Sequence, residues 1–564
     1  MNAEFLIDNG VLLGYAGDAS DTVTVPDGVT VIGSHGFAGC SAKRIILPDT
    51  LTAIDEYAFI KCGCLTEIRL PDSLRQIGAG AFRECDSLER VTLPPRLTEL
   101  PDACFYQCLS LKELHMPDSL RRIGVRALAD CSALEHLTLP RGVEEIDEYA
   151  FEYCTRLRSI ALPDGLRTIA RHAFYCCHEL SDITIPESVT TIGCSAFYQT
   201  AYQEQAKEFL ISESGILISC SSDRETVDIP EGVKVIGEMA FAYNQTARRV
   251  LLPEGVTEIC SRAFEQCTAL EETALPESLR HIGELAFRGC TALTLPKLPD
   301  GLEVIDRGAF DCDRLAGGDT FSAGKFFLYC GKTGSSCRLP DETRVIAGGA
   351  FYGRDDLETA DLNNTEIICE QAFSWCSGLR DITISDRVRY IGRQAFSSCE
   401  KLSVRLERAR RQMGESAFVY GQKITFADGG RSFYVTLLND LTSGSPEHAL
   451  MGFAAEPSES RFLQLHYAEY LIPAAVCYAG CGRAYDEYLK KNIVAAVCYS
   501  VDLRDSGLTR RILDLKLLSE RQAAECAAYA IEQQAFEQQL LIMRSKQDIF
   551  GSVSQKELDD RFDW

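Results

Sequence analysis

The chain is poor in the residues and motifs that build chemistry. Its 564 residues include only two tryptophans, six methionines and eight histidines, at 35, 115, 136, 172, 178, 281, 448 and 466. No H-E-x-x-H, phosphate-loop or G-x-S-x-G motif occurs, and no G-x-G-x-x-G sits in a strand–helix context. That removes the common signatures of zinc proteases, nucleotide binding and serine hydrolysis. C-x-x-C pairs are absent, so no zinc ribbon is expected. Positive charge is scarce: 57 Lys and Arg against 82 Asp and Glu leave a formal charge of −25. Such a chain repels nucleic-acid phosphates and anionic lipid, so no nucleic-acid partner and no membrane insertion are expected. No apolar run approaches the roughly 18 residues of a membrane span. The start, MNAEFLIDNG, has no basic stretch ahead of an apolar one, and the end, DDRFDW, carries no lipidation or retention signal.

Repetition is abundant instead. LPDSLRQIGAGAFRECDSLERVT at 70–92 is followed by LPPRLTELPDACFYQCLSLKELH and then by MPDSLRRIGVRALADCSALEHLT. The firmest marker is a Phe at 37, 59, 82, 105, 151, 174, 197, 241, 264, 287, 310, 351, 373, 396 and 418, with Leu128 filling one place. Most spacings are 22 or 23 residues; those from Phe197 to Phe241 and from Phe310 to Phe351 are 44 and 41. Three residues after the Phe a Cys recurs, as in Cys40, Cys62, Cys85, Cys108, Cys131, Cys154, Cys177, Cys267, Cys290, Cys376 and Cys399, and a Leu follows three later. The tail of each unit has the L-x-x-L-x-L spacing of leucine-rich repeats.

Within a unit, Leu88 to Leu93 alternates like a half-buried strand and Pro94 ends it. Leu74 to Ile77 is a second short extended piece, Gly78 allows a corner, and Ala81, Phe82 and Cys85 suit one inward-facing helical or 3₁₀ turn. One such coil cannot bury its apolar face alone, whereas stacked coils share a core. Phe59, Phe82, Phe105, Phe151 and Phe174 should form one inward ladder, and Cys62, Cys85, Cys108, Cys131 and Cys154 another, the thiols acting as compact hydrophobes. Cysteines in such a register read as reduced, which points to the cytoplasm.

The unit L-P-x-x-L-x-x-I-G-x-x-A-F-x-x-C-x-x-L-x-x-I resembles the BspA-type, or Treponema-type, leucine-rich repeat over residues 4 to 426. The resemblance implies a curved right-handed solenoid used for contact with proteins or ligands, in a family many of whose members are bacterial surface adhesins. It brings no catalytic residues. The fold expected is a repeat solenoid of leucine-rich repeats, with short parallel strands joined by turns, followed by an all-α C-terminal domain.

The organisation follows the breaks. Residues 1–36 form an N-terminal hairpin cap and first coil, because EFLIDNGVLLGYAG has the pattern of a hairpin. Repeats occupy 37–200, 241–316 and 350–438. Hairpins resembling the first, EFLISESGILISC and KFFLYCGKTGSSC, restart the pattern within 201–240 and 317–349 and should protrude. The stretch 439–460 reads as a linker and 461–564 as helices, with candidates 462–479, 484–500, 508–517 and 519–544. Ser519 and Gln522 fit a capping box, and Ala523, Cys526, Ala527, Ala530 and Ile531 an apolar stripe. This part is only weakly ankyrin-like, since T-P-L-H-x-A is missing. Cys477 and Cys481 lie one turn apart with His466 as a third candidate ligand, yet packing is the simpler role, and no metal or cofactor is expected. The solenoid histidines read as solvated.

A partner surface can be placed. One residue per strand lies between two inward ones and should point outward: Thr24, Ile46, Arg69, Thr92, His115, Thr138, Ala161, Thr184, Asp228, Leu251, Ala274, Lys297, Arg338, Asp361, Thr383, Arg405 and Thr425. At about 4.8 Å per strand this row runs on the order of 75 Å. The reading is a non-enzymatic scaffold for a protein partner. The alternatives are a surface adhesin exported without a recognisable signal, and an enzyme whose site lies in 462–564.

Overall fold

The computed structural model describes residues 5–550 apart from 18–20, 312–314, 316–319, 332–333, 408–410, 429–430, 443–444, 456 and 466. The chain forms two compact units, Met1–Asp311 and Cys312–Trp564. Both contain stacked coils; the first also holds the short helix Ala201–Gln205, and the second the helices from Pro446 onward.

Most coils contribute one longer and one shorter strand, and strands of each kind pair in parallel with their counterparts in neighbouring coils. The longer strands, such as Glu67–Arg69, Arg90–Thr92 and Glu113–His115, pair in register: Glu113 with Arg90, Leu114 with Val91, His115 with Thr92. The shorter ones, such as Ala53–Ile54 and Gln76–Ile77, pair likewise. Coil size sets the offset, so a side chain meets its counterpart from the next repeat. Proline marks the breaks. The short-strand sheet stops between Gln76–Ile77 and Glu99–Leu100. There Pro101 replaces the residue whose amide, in Gly78, bonds to the carbonyl of Ile54 at 2.7 Å. Proline has no N–H to give.

The third side of the coil is not a helical turn. The Ala58, Ile60 and Cys62 amides bond three residues back within the coil, at 3.0–3.3 Å. The intervening Tyr57, Phe59 and Lys61 amides instead bond to Ala79, Ala81 and Arg83 of the next coil, at 2.8–3.0 Å. A true helix would direct all of them inward along its own axis. The alternation requires left-handed residues, and Tyr57 (φ 57°) and Lys61 (φ 60°) adopt that region without being glycine. Their strain is offset by bonds between coils. Gly78 is needed for closeness rather than for a corner: a Cβ there would lie 2.4 Å from the Glu56 amide nitrogen.

The Phe ladder forms as expected. Phe59, Phe82, Phe105, Phe151 and Phe174 are fully buried, and the Phe59–Phe82 and Phe82–Phe105 rings stack at 5.1 and 5.4 Å. The cysteines do more than fill space. Cys62 Sγ donates to the Phe37 carbonyl at 3.1 Å, Cys85 to Phe59 at 3.2 Å, Cys108 to Phe82 at 3.1 Å, Cys131 to Phe105 at 3.3 Å and Cys154 to Leu128 at 3.1 Å. Burial pushes the Cys108 thiol up to about 12, so it keeps the proton it donates. In two repeats that lack Cys, another donor stands at or beside the place. Gln422 Nε2 reaches the Phe396 carbonyl at 2.8 Å, and Arg354 Nη1 reaches the Cys330 carbonyl at 3.3 Å.

The hairpins do not protrude. Phe5–Asp8 with Val11–Tyr15, Phe209–Ile211 with Ile216–Cys220, and Phe321–Ala323 with Phe326–Tyr329 are antiparallel pairs. In each, the second strand pairs in parallel with the first coil that follows. Each hairpin thus starts a short-strand sheet and covers its edge.

In the second unit the coils pass straight into the helices. Strand Lys423–Asp428 turns back antiparallel on Arg431–Thr436, a strand beyond the repeat pattern. The expected linker is not a linker: Pro446–Ala455 is helical, and Leu450 and Phe453 are fully buried. Pro446 is the first residue of this helix and Gly452 lies within it, while Ser458 caps the helix that follows. Helices follow at Glu459–Phe462, Ala468–Cys477, Arg483–Asp502, Ser506–Asp514, Glu520–Glu532 and Phe536–Phe550. The expected 519–544 helix is two, broken by Gln534 at φ 55°. The capping box at Ser519 and Gln522 is present. Ala523, Cys526 and Ala530 are buried, but Ile531 is 54% exposed and lies outside the inward stripe. Among the described residues no helix is long and apolar enough to cross a membrane.

Candidate interaction surface on the long-strand sheet

In most of the three-residue long strands the central side chain is buried and its two neighbours are exposed, as for Glu67, Ile68 and Arg69. Two parallel rows therefore face outward. The row found in the sequence holds Thr24, Ile46, Arg69, Thr92, His115, Thr138, Ala161, Thr184, Asp228, Leu251 and Ala274 in the first unit, and Arg338, Asp361, Thr383 and Arg405 in the second, all exposed. Two positions differ from expectation. Lys297 is exposed but lies in no strand, because Pro296 occupies the place that would extend the ladder from Thr273. Thr425 is only half-buried as it pairs with Tyr434 of the returning strand, beneath the helical region.

The second row was missed because it precedes the apolar L-x-L signal. It runs Arg44, Glu67, Arg90, Glu113, His136, Ser159 and Asp182 in the first unit. Its charges alternate, and neighbours pair across coils: Arg44 with Glu67 at 3.0 Å, Arg90 with Glu113 at 3.4 Å, and, further along, Arg249 with Glu272 at 3.0 Å. Exposed pairs contribute little stability each. They do favour the register that brings unlike charges opposite. The alternation at a spacing of one repeat was the available signal.

Shallow hollows lie along this face. One of about 710 Å³ is lined by His136, Thr138, Ser159, Ala161, Asp182, Thr184, Asp164, Glu187 and Glu213 among others. One of 670 Å³ includes Glu67, Arg69, Glu89, Arg90 and Thr92, and one of 470 Å³ in the second unit includes Asp361, Thr383 and Arg405. The first is acidic, with four carboxylates around one histidine. His136 Nδ1 lies 2.7 Å from Ser159 Oγ. The sheet order is His136, Ser159, Asp182, so the carboxylate neighbours the serine and not the imidazole. A hydrolytic triad needs the imidazole between the serine and the carboxylate.

Among the described residues no group of three metal-ligating side chains comes together. His466 lies outside those residues; the Cys477 thiol is pushed up to about 11 by burial. No cysteine among the described residues is in a disulfide. His281, expected to be solvated, is held between Asp306 (2.7 Å) and Glu258 (3.2 Å). Burial opposes its charge, but these two carboxylates outweigh burial and push it up to about 10. Arg122 occupies the same register position and is held similarly by Glu99 and Asp102, at 3.5 and 3.3 Å. Both are ties between coils.

A stack of coils with L-x-x-L-x-L strands, a Phe ladder and an open sheet face defines a leucine-rich repeat protein. Residues 15–135, 121–214, 217–317 and 324–432 match the BspA type leucine rich repeat region, in six copies, and the chain belongs to that family. It is similar to a leucine-rich repeat protein from Bacteroides ovatus, with 22% identity over 70% of this chain and 82% of that one and a TM-score of 0.31. A leucine rich cell surface protein from Faecalibacterium prausnitzii shares 22% identity over 71% and 91%, with a TM-score of 0.30. A T. pallidum leucine rich repeat protein is 30% identical over 34% of this chain and 81% of its own, with a TM-score of 0.27. A search of curated proteins gives no match.

Proposed function

We propose that this chain is a non-enzymatic scaffold that binds a protein partner on the long-strand sheet face. The observation that carries this reading is the doubled row of exposed side chains, in register from coil to coil and hollowed beside residues 136–188. A row of small and polar residues gives a partner area and hydrogen bonds without hiding the strands. The hollow has Asp164, Asp182, Glu187 and Glu213 around it, and the whole chain carries −25. The partner segment is therefore one with Lys or Arg side chains, drawn in by the field and fixed by the carboxylates.

A reducing location, such as the cytoplasm, is supported by the ladder thiols. They donate hydrogen bonds to carbonyls, a role that oxidation would abolish. The test is binding by the whole chain. Cross-linking from Thr138 identifies the partner, and Asp182→Lys with Glu187→Lys should then weaken that complex at least tenfold and flatten its salt dependence. Reversal without effect on affinity, in a variant of unchanged melting temperature, would place recognition elsewhere.

A further inference from the structure

The helix Phe536–Phe550 carries two apolar stripes. One is inward: Gln538 and Ile542 are buried, and Ala535 just ahead of the helix is too. The other faces solvent, with Phe536 66%, Leu540 57%, Met543 46% and Phe550 40% exposed. The outer residues recur at intervals of four and three, with Gln547 completing the series. By helix geometry the two stripes lie on roughly opposite sides of the cylinder. An ordinary surface helix is polar there. A four-three apolar repeat is the seam of a coiled coil.

We infer that this stripe joins two copies of the chain through antiparallel pairing of their Phe536–Phe550 helices. The charges beside the seam select that occupant. In heptad terms Phe536, Met543 and Phe550 take position d, Leu540 and Gln547 take a, and Glu537 and Arg544 take e. Glu537 and Arg544 are both exposed. They are seven residues apart, about 10 Å along one helix, too far to pair with each other. In an antiparallel pair, e positions face e positions. Layering Leu540 on the partner's Met543, and Phe536 on the partner's Gln547, brings Glu537 beside the partner's Arg544. Symmetry gives a second such pair. A parallel pair would instead set Gln539 beside the partner's Arg544 and leave no opposite charges facing. The helix dipoles also oppose favourably in the antiparallel arrangement. Gln547, polar within the seam, penalises other registers.

Sedimentation velocity on the whole chain at micromolar concentrations tests this. The wild type should sediment as a dimer, and Leu540→Glu should weaken association by about a hundredfold or more. Glu537→Arg and Arg544→Glu should each weaken it about tenfold, because both ion pairs become repulsive. The double variant, with the charges exchanged, should recover near wild-type association. All three side chains being exposed, far-UV circular dichroism and melting temperature should not change. A monomer at every concentration overturns the inference, as does a dimer indifferent to Leu540→Glu. A double variant no better than the singles overturns the antiparallel register. Monomers whose melting falls with Leu540→Glu would mean the stripe is covered within one chain, which equally overturns it.

Discussion

In a coil, the Phe59 amide bonds to Ala81 of the next coil and the Cys85 thiol returns a bond to the Phe59 carbonyl. The exchange recurs at Phe82, with Cys104 and Cys108, and at Phe105, with Ala127 and Cys131. In the helical region the buried polar groups are held by pairs that are not repeated along the chain. Glu447 is fully buried and accepts from the Tyr470 hydroxyl at 2.7 Å, while the same hydroxyl accepts from the Leu438 amide at 3.0 Å. Ser500 and Thr509 are buried and hydrogen-bonded to each other at 2.9 Å. The coils thus spread their tolerance over many similar contacts. The helices concentrate theirs in a few pairs, several of which tie them to the last strands. Arg511 bonds to the Ser432 carbonyl at 2.9 Å, and Tyr478 to Asp428 at 3.1 Å. Coils and helices of the second unit share one apolar core. Cutting the chain at 438 would expose that core, so the helices serve the coils as a cap.

This contrast can be broken experimentally. Phe151→Ala should cost about 3–5 kcal/mol in denaturant unfolding, as a buried ladder ring does. A loss near 1 kcal/mol would mean the ladder relaxes into the gap. Tyr470→Phe leaves the Glu447 carboxylate short of a donor and should cost about 2–3 kcal/mol. Its hydrogen-exchange signature should appear in 438–478 before it appears in the first unit. Uniform loss of protection would mean that the two units unfold together.

Cys108→Val keeps the apolar volume but orphans the Phe82 carbonyl, so it should cost about 1–2 kcal/mol by thermal melting. A neutral result would reduce the ladder thiols to filling. The smallest effect is His281→Ala. The folded imidazolium titrates near 10, above the roughly 6.5 of an unfolded chain, so its ties to Asp306 and Glu258 contribute fully below about pH 6.5. The contribution fades as pH rises towards 10. Being partly exposed, it is worth only about 0.5 kcal/mol. Wild type and variant should therefore differ at pH 6 and converge at pH 10. A gap that widened with pH would show that the neutral imidazole is the form held.

Legibility divides along the same line. Phe, Cys, Leu and Ile recur because each meets its own kind one coil away, so the period of the chain is also a map of contacts. The outward row Arg69, Thr92, His115 could be read by alternation alone. Its companion Glu67, Arg90, Glu113 could not, since its signal is charge alternating between repeats rather than along a strand. The helix Pro446–Ala455 escaped notice because it contains Pro446 and Gly452 and is flanked by serines, residue types that read as turns. Only tertiary contact shows that Leu450 and Phe453 are core. His281 looked solvated because its partners are 23 and 25 residues away in sequence.

What the amino-acid order determined on its own was the coil: its length, its inward ladders and the strand that faces outward. A repeated short-range pattern needs no distant information. Tertiary structure alone decided the alternating turn with left-handed Tyr57 and Lys61, the thiols as donors, the hairpins as sheet edges and the helices as a cap. Each of these depends on where a backbone carbonyl of another segment lies, and no local pattern of side chains encodes that position.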